Sequence, residues 1–128
     1  THHPLASALY YEDQMEEAKK RSANFIELRI PKYLDYFERI LNNNTSTSGW
    51  LIGDKLTYPD LSLFQIIEGL NYAFPNGFGK IKKNYPKLLS LRDAVKIRPN
   101  ISAYLASNRR IPFNTKGVFR HYPELDDK

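Results

Sequence analysis

Spacing of the apolar residues makes this a helical chain, and the stretch from Gly49 to Phe74 organises it. Leu61, Leu63, Phe64, Ile66, Ile67, Leu70, Ala73 and Phe74 surround one helix axis and leave a thin polar line of Ser62, Gln65, Glu68 and Asn71. A helix apolar on nearly all sides belongs at the centre of a bundle. Its start is written just before it. Thr57 and Asp60 stand three apart, Pro59 falls in the first turn, and Leu56 and Leu61 flank the cap at hydrophobic-staple spacing. In such a capping box the threonine hydroxyl accepts from the Asp60 N–H, and the carboxylate reaches back to the Thr57 N–H. Two donors that a helix start leaves bare are then satisfied, with the carboxylate at the positive end of the helix dipole. Proline loses nothing there, because its missing N–H had no helical partner.

The same periodicity runs on both sides. Leu5, Leu9, Met15, Ala18, Ser22, Phe25 and Ile26 predict helix over most of residues 5–29. The order of acids at 12–17 and bases at 19–21 predicts a break near Asp13 or Gln14. Pro31 interrupts a continuing pattern of Ile30, Leu34, Phe37, Ile40 and Leu41, which predicts a kink or a restart. Residues 42–49 read as a mobile polar loop, and Phe74-Pro75-Asn76-Gly77 as a turn closing the central helix. Tyr85-Pro86 opens another helix, with Leu88, Leu91 and Val95 as its inner stripe. A last one, roughly 100–107, carries Ile101, Tyr104 and Leu105. No strand-period run of useful length and no internal repeat is present. The prediction is an all-α bundle of about five helices over residues 1–108, with an aromatic-bearing tail, 109–128, packed on it.

Composition narrows the classes. With 128 residues and 41% hydrophobic content, the chain can bury a real core. No apolar run approaches the ~20 residues of a membrane span, so no membrane partner is expected. The absence of cysteine excludes disulfides, thiolate metal sites and a cysteine nucleophile, and fits a cytoplasmic setting. A start at Thr1-His2-His3-Pro4 reads as a piece of a longer protein. The net charge of +5 is uneven: residues 80–128 hold 12 Lys/Arg against 4 Asp/Glu, and residues 1–79 hold 7 against 10. Lys80, Lys82, Lys83, Lys87, Arg92, Lys96 and Arg98 raise the question of nucleic acid. Stacking aromatics should interleave such a patch and only Tyr85 does, so nucleic acid is not the expected partner.

Gly53-x-x-Leu56-Thr57-x-x-Asp60, after Trp50-Leu51-Ile52, resembles the motif of the helical C-terminal domain of cytosolic glutathione transferases. The likeness extends in order along the chain. Tyr10-Tyr11-Glu12-Asp13-Gln14, Pro31-Lys32-Tyr33-Leu34, Asn84-Tyr85-Pro86-Lys87-Leu88 and Ile101-Ser102-Ala103-Tyr104-Leu105 resemble stretches of the mu- and sigma-like classes. The resemblance implies that the box serves folding rather than chemistry. It also implies that the catalytic residue and most glutathione contacts lie in an N-terminal thioredoxin-like domain. No catalytic residue is therefore expected in this chain, no tightly bound cofactor, and no metal. Glutathione would be the co-substrate of the parent enzyme. The acidic residue that some classes send toward the neighbouring subunit's glutathione is assigned to neither Glu12 nor Asp13.

What the resemblance does carry over is the wall of a pocket for hydrophobic electrophiles. Tyr10 and Tyr11 match the position of a pocket-lining tyrosine, and the sequence does not choose between them. A phenol there would donate to charge developing on the electrophile. The plainer reading of both is a buried ring with a wet hydroxyl. His2 and His3 could line the same pocket, and two histidines without a carboxylate or cysteine cluster make poor metal ligands. Expected partners are the thioredoxin-like domain and a second copy in a homodimer. Self-association would use the acidic residues 1–41, with Tyr10, Tyr11, Phe113 and Phe119 as candidate apolar contacts. The alternative function is a non-catalytic interaction module, as in elongation factor gamma subunits or aminoacyl-tRNA synthetases.

Overall fold

The computed structural model describes residues 1–126; the last two residues of the predicted tail lie outside the described residues. Among the described residues six α-helices carry the fold: α1 (Met15–Asn24), α2 (Ile30–Asn43), α3 (Tyr58–Ala73), α4 (Pro75–Ile81), α5 (Pro86–Lys96) and α6 (Pro99–Leu105). Among the described residues there is no strand. The fold is all-α. Its core lies where α2, α3 and α5 face one another through Ile30, Leu34, Leu63, Ile67, Leu88 and Leu91, with Phe78 of α4 closing one side. A smaller cluster of Tyr11, Ala18 and Leu125 ties the chain's two ends together.

The first helix starts later than its periodicity predicts. Residues 5–11 form turns, one 3-10 turn spans Glu12–Gln14, and α1 follows. The cause is Gln14, which is fully buried. Its carboxamide oxygen accepts from the N–H of Leu5 (3.0 Å) and Ala6 (3.3 Å). Its nitrogen donates to the carbonyls of Ala6 (3.0 Å), Leu9 (3.2 Å) and Tyr10 (3.3 Å). One side chain thus takes the backbone partners that helix would have used. The chain breaks at Gln14, whose φ of −137° lies outside the helical range.

Between α1 and α2 the helix widens to a π turn at Phe25–Arg29, closed by the Ile30 N–H on the Phe25 carbonyl. Pro31 explains it. A proline ring collides with the carbonyl four residues back, that of Glu27, and the wider turn moves that carbonyl aside. The loop after α2 is tied down rather than loose. The Asn44 amide donates to the carbonyls of Trp50 (2.7 Å) and Gly53 (2.9 Å), and Ser48 also donates to Gly53 (2.8 Å). Gly53 sits at φ +61°, a left-handed conformation that glycine adopts without strain.

Thr57 is the N-cap of α3 and the capping box closes in both directions. The shortest contacts converge on the Asp60 carboxylate, which accepts from the Thr57 N–H (2.8 Å), the Thr57 hydroxyl (2.9 Å) and the Leu51 N–H (2.8 Å). The hydroxyl therefore also donates, and the box fastens the preceding loop to the helix. Leu56 and Leu61 border one shallow groove with Pro99 and Ile101. The helix is less enclosed than its composition predicts: Leu61 and Ile66 are on the surface, Ile66 at 43% exposure. Its polar line lies beside them, with Ser62 and Asn71 exposed and Gln65 and Glu68 half-buried.

The predicted turn at 74–77 is instead the start of α4. Pro75 opens it, and the buried Asp126 caps it from the tail by accepting from the N–H of Asn76 (2.7 Å) and Gly77 (2.8 Å). The start of α5 is capped at long range too, by Glu38 of α2 accepting from Lys87 and Leu88, both at 3.0 Å. The inner stripe of α5 is Leu88, Leu91 and Val95.

Candidate functional site

The two candidate tyrosines are adjacent in sequence and opposite in environment. Tyr11 is buried at 7% exposure, stacks on Tyr122 (4.2 Å between ring centres, 16° apart) and donates its hydroxyl to Glu124 at 2.8 Å. Burial first, and then the hydrogen bond to Glu124, push its phenol well above the ordinary tyrosine range. Glu124 is held below the usual carboxylate range, first by a backbone hydrogen bond and then by Tyr11. Tyr11 is thus a fastening between the first turn and the tail. Tyr10 projects outward at 79% exposure. Its backbone is fixed, because its carbonyl accepts from the Gln14 amide (3.3 Å) and from the Asp13 N–H (3.3 Å). Leu5 and Leu9, on the same pinned segment, are also exposed.

His2 and His3 lie edge to face at 4.9 Å, and His2 tilts against Tyr122 at 5.9 Å. Burial, reinforced by neighbouring positive charge, lowers the His2 imidazole to about 4, so it is neutral at physiological pH. Among the described residues no group of three or more metal-ligating side chains comes together.

A cleft of about 330 Å³ opens between α1, the π turn, α3 and the tail. Phe25, Leu70, Ala73, Phe74 and Phe119 form its apolar surface, and Arg21, Arg29 and Arg120 stand around it with His2. Neither Tyr10 nor Tyr11 lines it. The tail forms one wall because of Gly69. A Cβ at that position would collide with the Phe119 ring carbons, so only glycine lets the ring lie this close on α3. Phe113 continues the cover by stacking on Tyr72 at 4.9 Å. The His121 ring contacts the Ala73 carbonyl at 3.1 Å, and Ser22 donates to the Leu125 carbonyl at 2.7 Å. Three of the four residues named as contacts for self-association are thus engaged within the chain. Tyr11, Phe113 and Phe119 face its own core or tail, and only Tyr10 is open.

In the basic region, Arg92 pairs with Asp93 (2.7 Å) and approaches Glu68 (3.9 Å), while Lys82 donates to Asn71 (3.1 Å). Among the described residues, no helix is long and apolar enough to cross a membrane.

The family profile described as "Glutathione S-transferase, C-terminal domain" matches residues 1–108. The chain belongs to the glutathione S-transferase family. Similar proteins include a glutathione S-transferase of Plasmodium yoelii yoelii, 30% identical over 91 residues, which are 71% of this chain and 41% of that protein. Glutathione S-transferase P 1 of Xenopus laevis is 33% identical over 81 residues, 63% of this chain and 36% of that one. S-crystallin SL11 of Nototodarus sloanii is 33% identical over 97 residues, 76% of this chain and 43% of that one. The chain thus spans less than half the length of each of these relatives. What it contains is the glutathione S-transferase C-terminal helical domain, with the Thr57–Asp60 capping box and a tail fastened across α1, α3 and α4. The sequence did not disclose Gln14 as the anchor of the Tyr10 segment. A lone polar residue at an otherwise apolar helical position was the available signal.

Proposed function

We propose that this domain is the helical half of a glutathione transferase that conjugates glutathione to hydrophobic electrophiles. Its part would be the apolar side of the electrophile pocket and part of a dimer interface. Thiolate activation would belong to a thioredoxin-like domain preceding it, and the setting would be cytoplasmic. The observation that carries this reading is the segment 5–10. Gln14 pins its backbone, yet Leu5, Leu9 and Tyr10 face outward. Rigid, outward apolar groups suit a surface that another domain covers. Tyr10 is the pocket residue of choice, because the Tyr11 hydroxyl is already engaged with Glu124. A phenol in that place would stabilise negative charge as it develops on the electrophile.

The test is kinetic. The isolated chain should not accelerate conjugation of an aromatic halide above the uncatalysed rate. In the full-length protein, Tyr10→Phe should lower kcat/KM for the electrophile by about tenfold, the low side of a lost oxyanion-type donor, with the KM for glutathione unchanged. Tyr11→Phe should mainly lower stability. The reading fails if the full-length protein lacks conjugating activity, or if Tyr10→Phe is silent.

The second reading is a non-catalytic domain that acts by docking. A relative named as a crystallin rather than a transferase favours keeping it. An inactive full-length protein with an intact fold would decide for it.

A further inference from the structure

The outer face of α2 and the turn before it carry a second surface, away from the Tyr10 segment. Arg29, Lys32, Tyr33, Tyr36 and Arg39 recur there at helical spacing, and Leu28 extends the stripe at 62% exposure. Tyr33 and Tyr36 are also exposed, and no ion pair engages the three cations among the described residues. One acid of α2 is turned away from this face. Glu38 caps α5 through the N–H groups of Lys87 and Leu88. Asp35 is exposed at the edge of the face, near enough to Tyr85 to help hold its phenol above the ordinary range. Glu27 is exposed on the other side of the turn, bordering a separate groove with Ser22, Glu124 and Leu125. Glu38 thus uses its charge on α5, and the outward side of this stretch carries Arg29, Lys32 and Arg39 with Asp35 exposed at its edge.

The tyrosines are arranged by those cations. The Arg29 guanidinium lies 5.5 Å and the Lys32 ammonium 6.0 Å from the centre of the Tyr33 ring, and Arg29 donates to the Tyr33 hydroxyl at 3.3 Å. The Arg39 guanidinium lies 5.9 Å from the Tyr36 ring. Such contacts flatten long side chains onto the helix, so less freedom is lost when a partner arrives. They also place cations over ring faces that a nucleic-acid base would need for stacking. Both rings remain about half exposed, and Leu28 stays open beside them. Tyrosine and arginine together, with an apolar residue beside them, are the composition of protein interface hot spots.

We propose that this face docks an acidic, amphipathic segment of a partner protein, with carboxylates on Arg29, Lys32 and Arg39 and apolar side chains on Leu28, Tyr33 and Tyr36. Eleven residues of helix separate the stripe's ends, roughly 16 Å at 1.5 Å per residue, which matches a partner helix of about three turns. The surface is independent of the electrophile reading and stands or falls separately.

The probe is a synthetic helical peptide of about three turns with glutamates on one side and leucine and tyrosine at i, i+4. Its site is mapped by amide chemical shifts in the labelled protein. The expected result is saturable, salt-sensitive perturbation confined to residues 28–39. Affinity should drop about tenfold with Tyr33→Ser/Tyr36→Ser or with Arg39→Glu, as for loss of one hot spot. An equally charged peptide without apolar residues should bind about tenfold more weakly, which separates docking from mere charge attraction. Perturbation elsewhere, or equal binding of the purely charged peptide, overturns the proposal. A single-stranded oligonucleotide binding more tightly at the same residues overturns it in favour of nucleic acid. Self-association abolished by the same variants overturns it in favour of a second copy of this chain.

Discussion

Replacing Asp60 with alanine removes a fully buried carboxylate that holds two pieces of chain at once. One oxygen accepts from the Thr57 N–H and hydroxyl, and the other from the buried Leu51 N–H nine residues earlier. The Thr57 side is a helix cap, whose loss costs about 1 kcal/mol, and water can reach that half-buried end. The Leu51 side is a buried donor left without an acceptor, at about 1–3 kcal/mol. The sum is roughly 3 kcal/mol, beyond the ordinary cap range and a large part of a typical stability of about 5–15 kcal/mol. Asp60→Asn keeps one acceptor but turns an NH₂ toward the other donor, and should cost about half as much. Thr57→Ala leaves both carboxylate–amide bonds in place and should cost about 1 kcal/mol. Urea denaturation followed by far-ultraviolet circular dichroism reads these values. With a slope of about 2 kcal/mol per molar, Asp60→Ala should lower the midpoint by about 1.5 M. A shift below about 0.3 M, or Thr57→Ala exceeding Asp60→Ala, would refute the view that this carboxylate joins loop to helix.

Gly69→Ala should cost about 1–3 kcal/mol as an overpacked contact, and Phe119→Ala in the same chain should recover part of it; additive losses in a double-mutant cycle would show that the ring does not rest there. Asp126→Ala leaves the N–H groups of Asn76 and Gly77 without their acceptor, so hydrogen exchange at the start of α4 should quicken with a loss of about 1–2 kcal/mol, and unchanged exchange would refute the cap. Alkaline titration of the nine tyrosines by near-ultraviolet absorbance should show late-ionising phenols at Tyr11 and Tyr85, the latter pushed up to about 12 by burial and then by the nearby Asp35 carboxylate. Because the folded-state value of Tyr85 is raised, its contribution to stability is complete below pH about 10 and is lost as pH rises through about 12, which Tyr85→Phe should blunt.

Local patterns in the sequence were enough for the helices and for the Thr57–Asp60 box, because spacing and capping act within one or two turns. The inner stripe of α5 was legible for the same reason. The first helix was misjudged because Gln14 satisfies the backbone of residues 5–10 with its own amide, and no periodicity encodes that choice. At 74–77 the turn chemistry was real: Pro75 does interrupt α3, but a helix restarts at once. For the proposed pocket the sequence offered a pair of tyrosines and no way to rank them. Tyr10 and Tyr11 look alike in sequence, and what separates them is Glu124 and Tyr122, more than a hundred residues away in the chain.

The helix starts follow one rule that also explains where sequence reading stopped. Three carboxylates accept from backbone N–H groups at or near the first turns of α3, α4 and α5: Asp60, Asp126 and Glu38. The positive end of each helix attracts such a charge, and burial away from water makes an acceptor necessary. Only Asp60 lies on the helix it caps and reads as a motif. Glu38 and Asp126 reach α5 and α4 across about 50 residues, which lets each cap also set the packing of two elements. Glu38 docks α2 on α5, and Asp126 docks the tail on α4. Using acids this way has an electrostatic consequence. Glu38 faces inward, so the cations beside it on α2 keep their charge for the surface. The cap that fixes the core and the basic stripe offered to a partner are two sides of one helix.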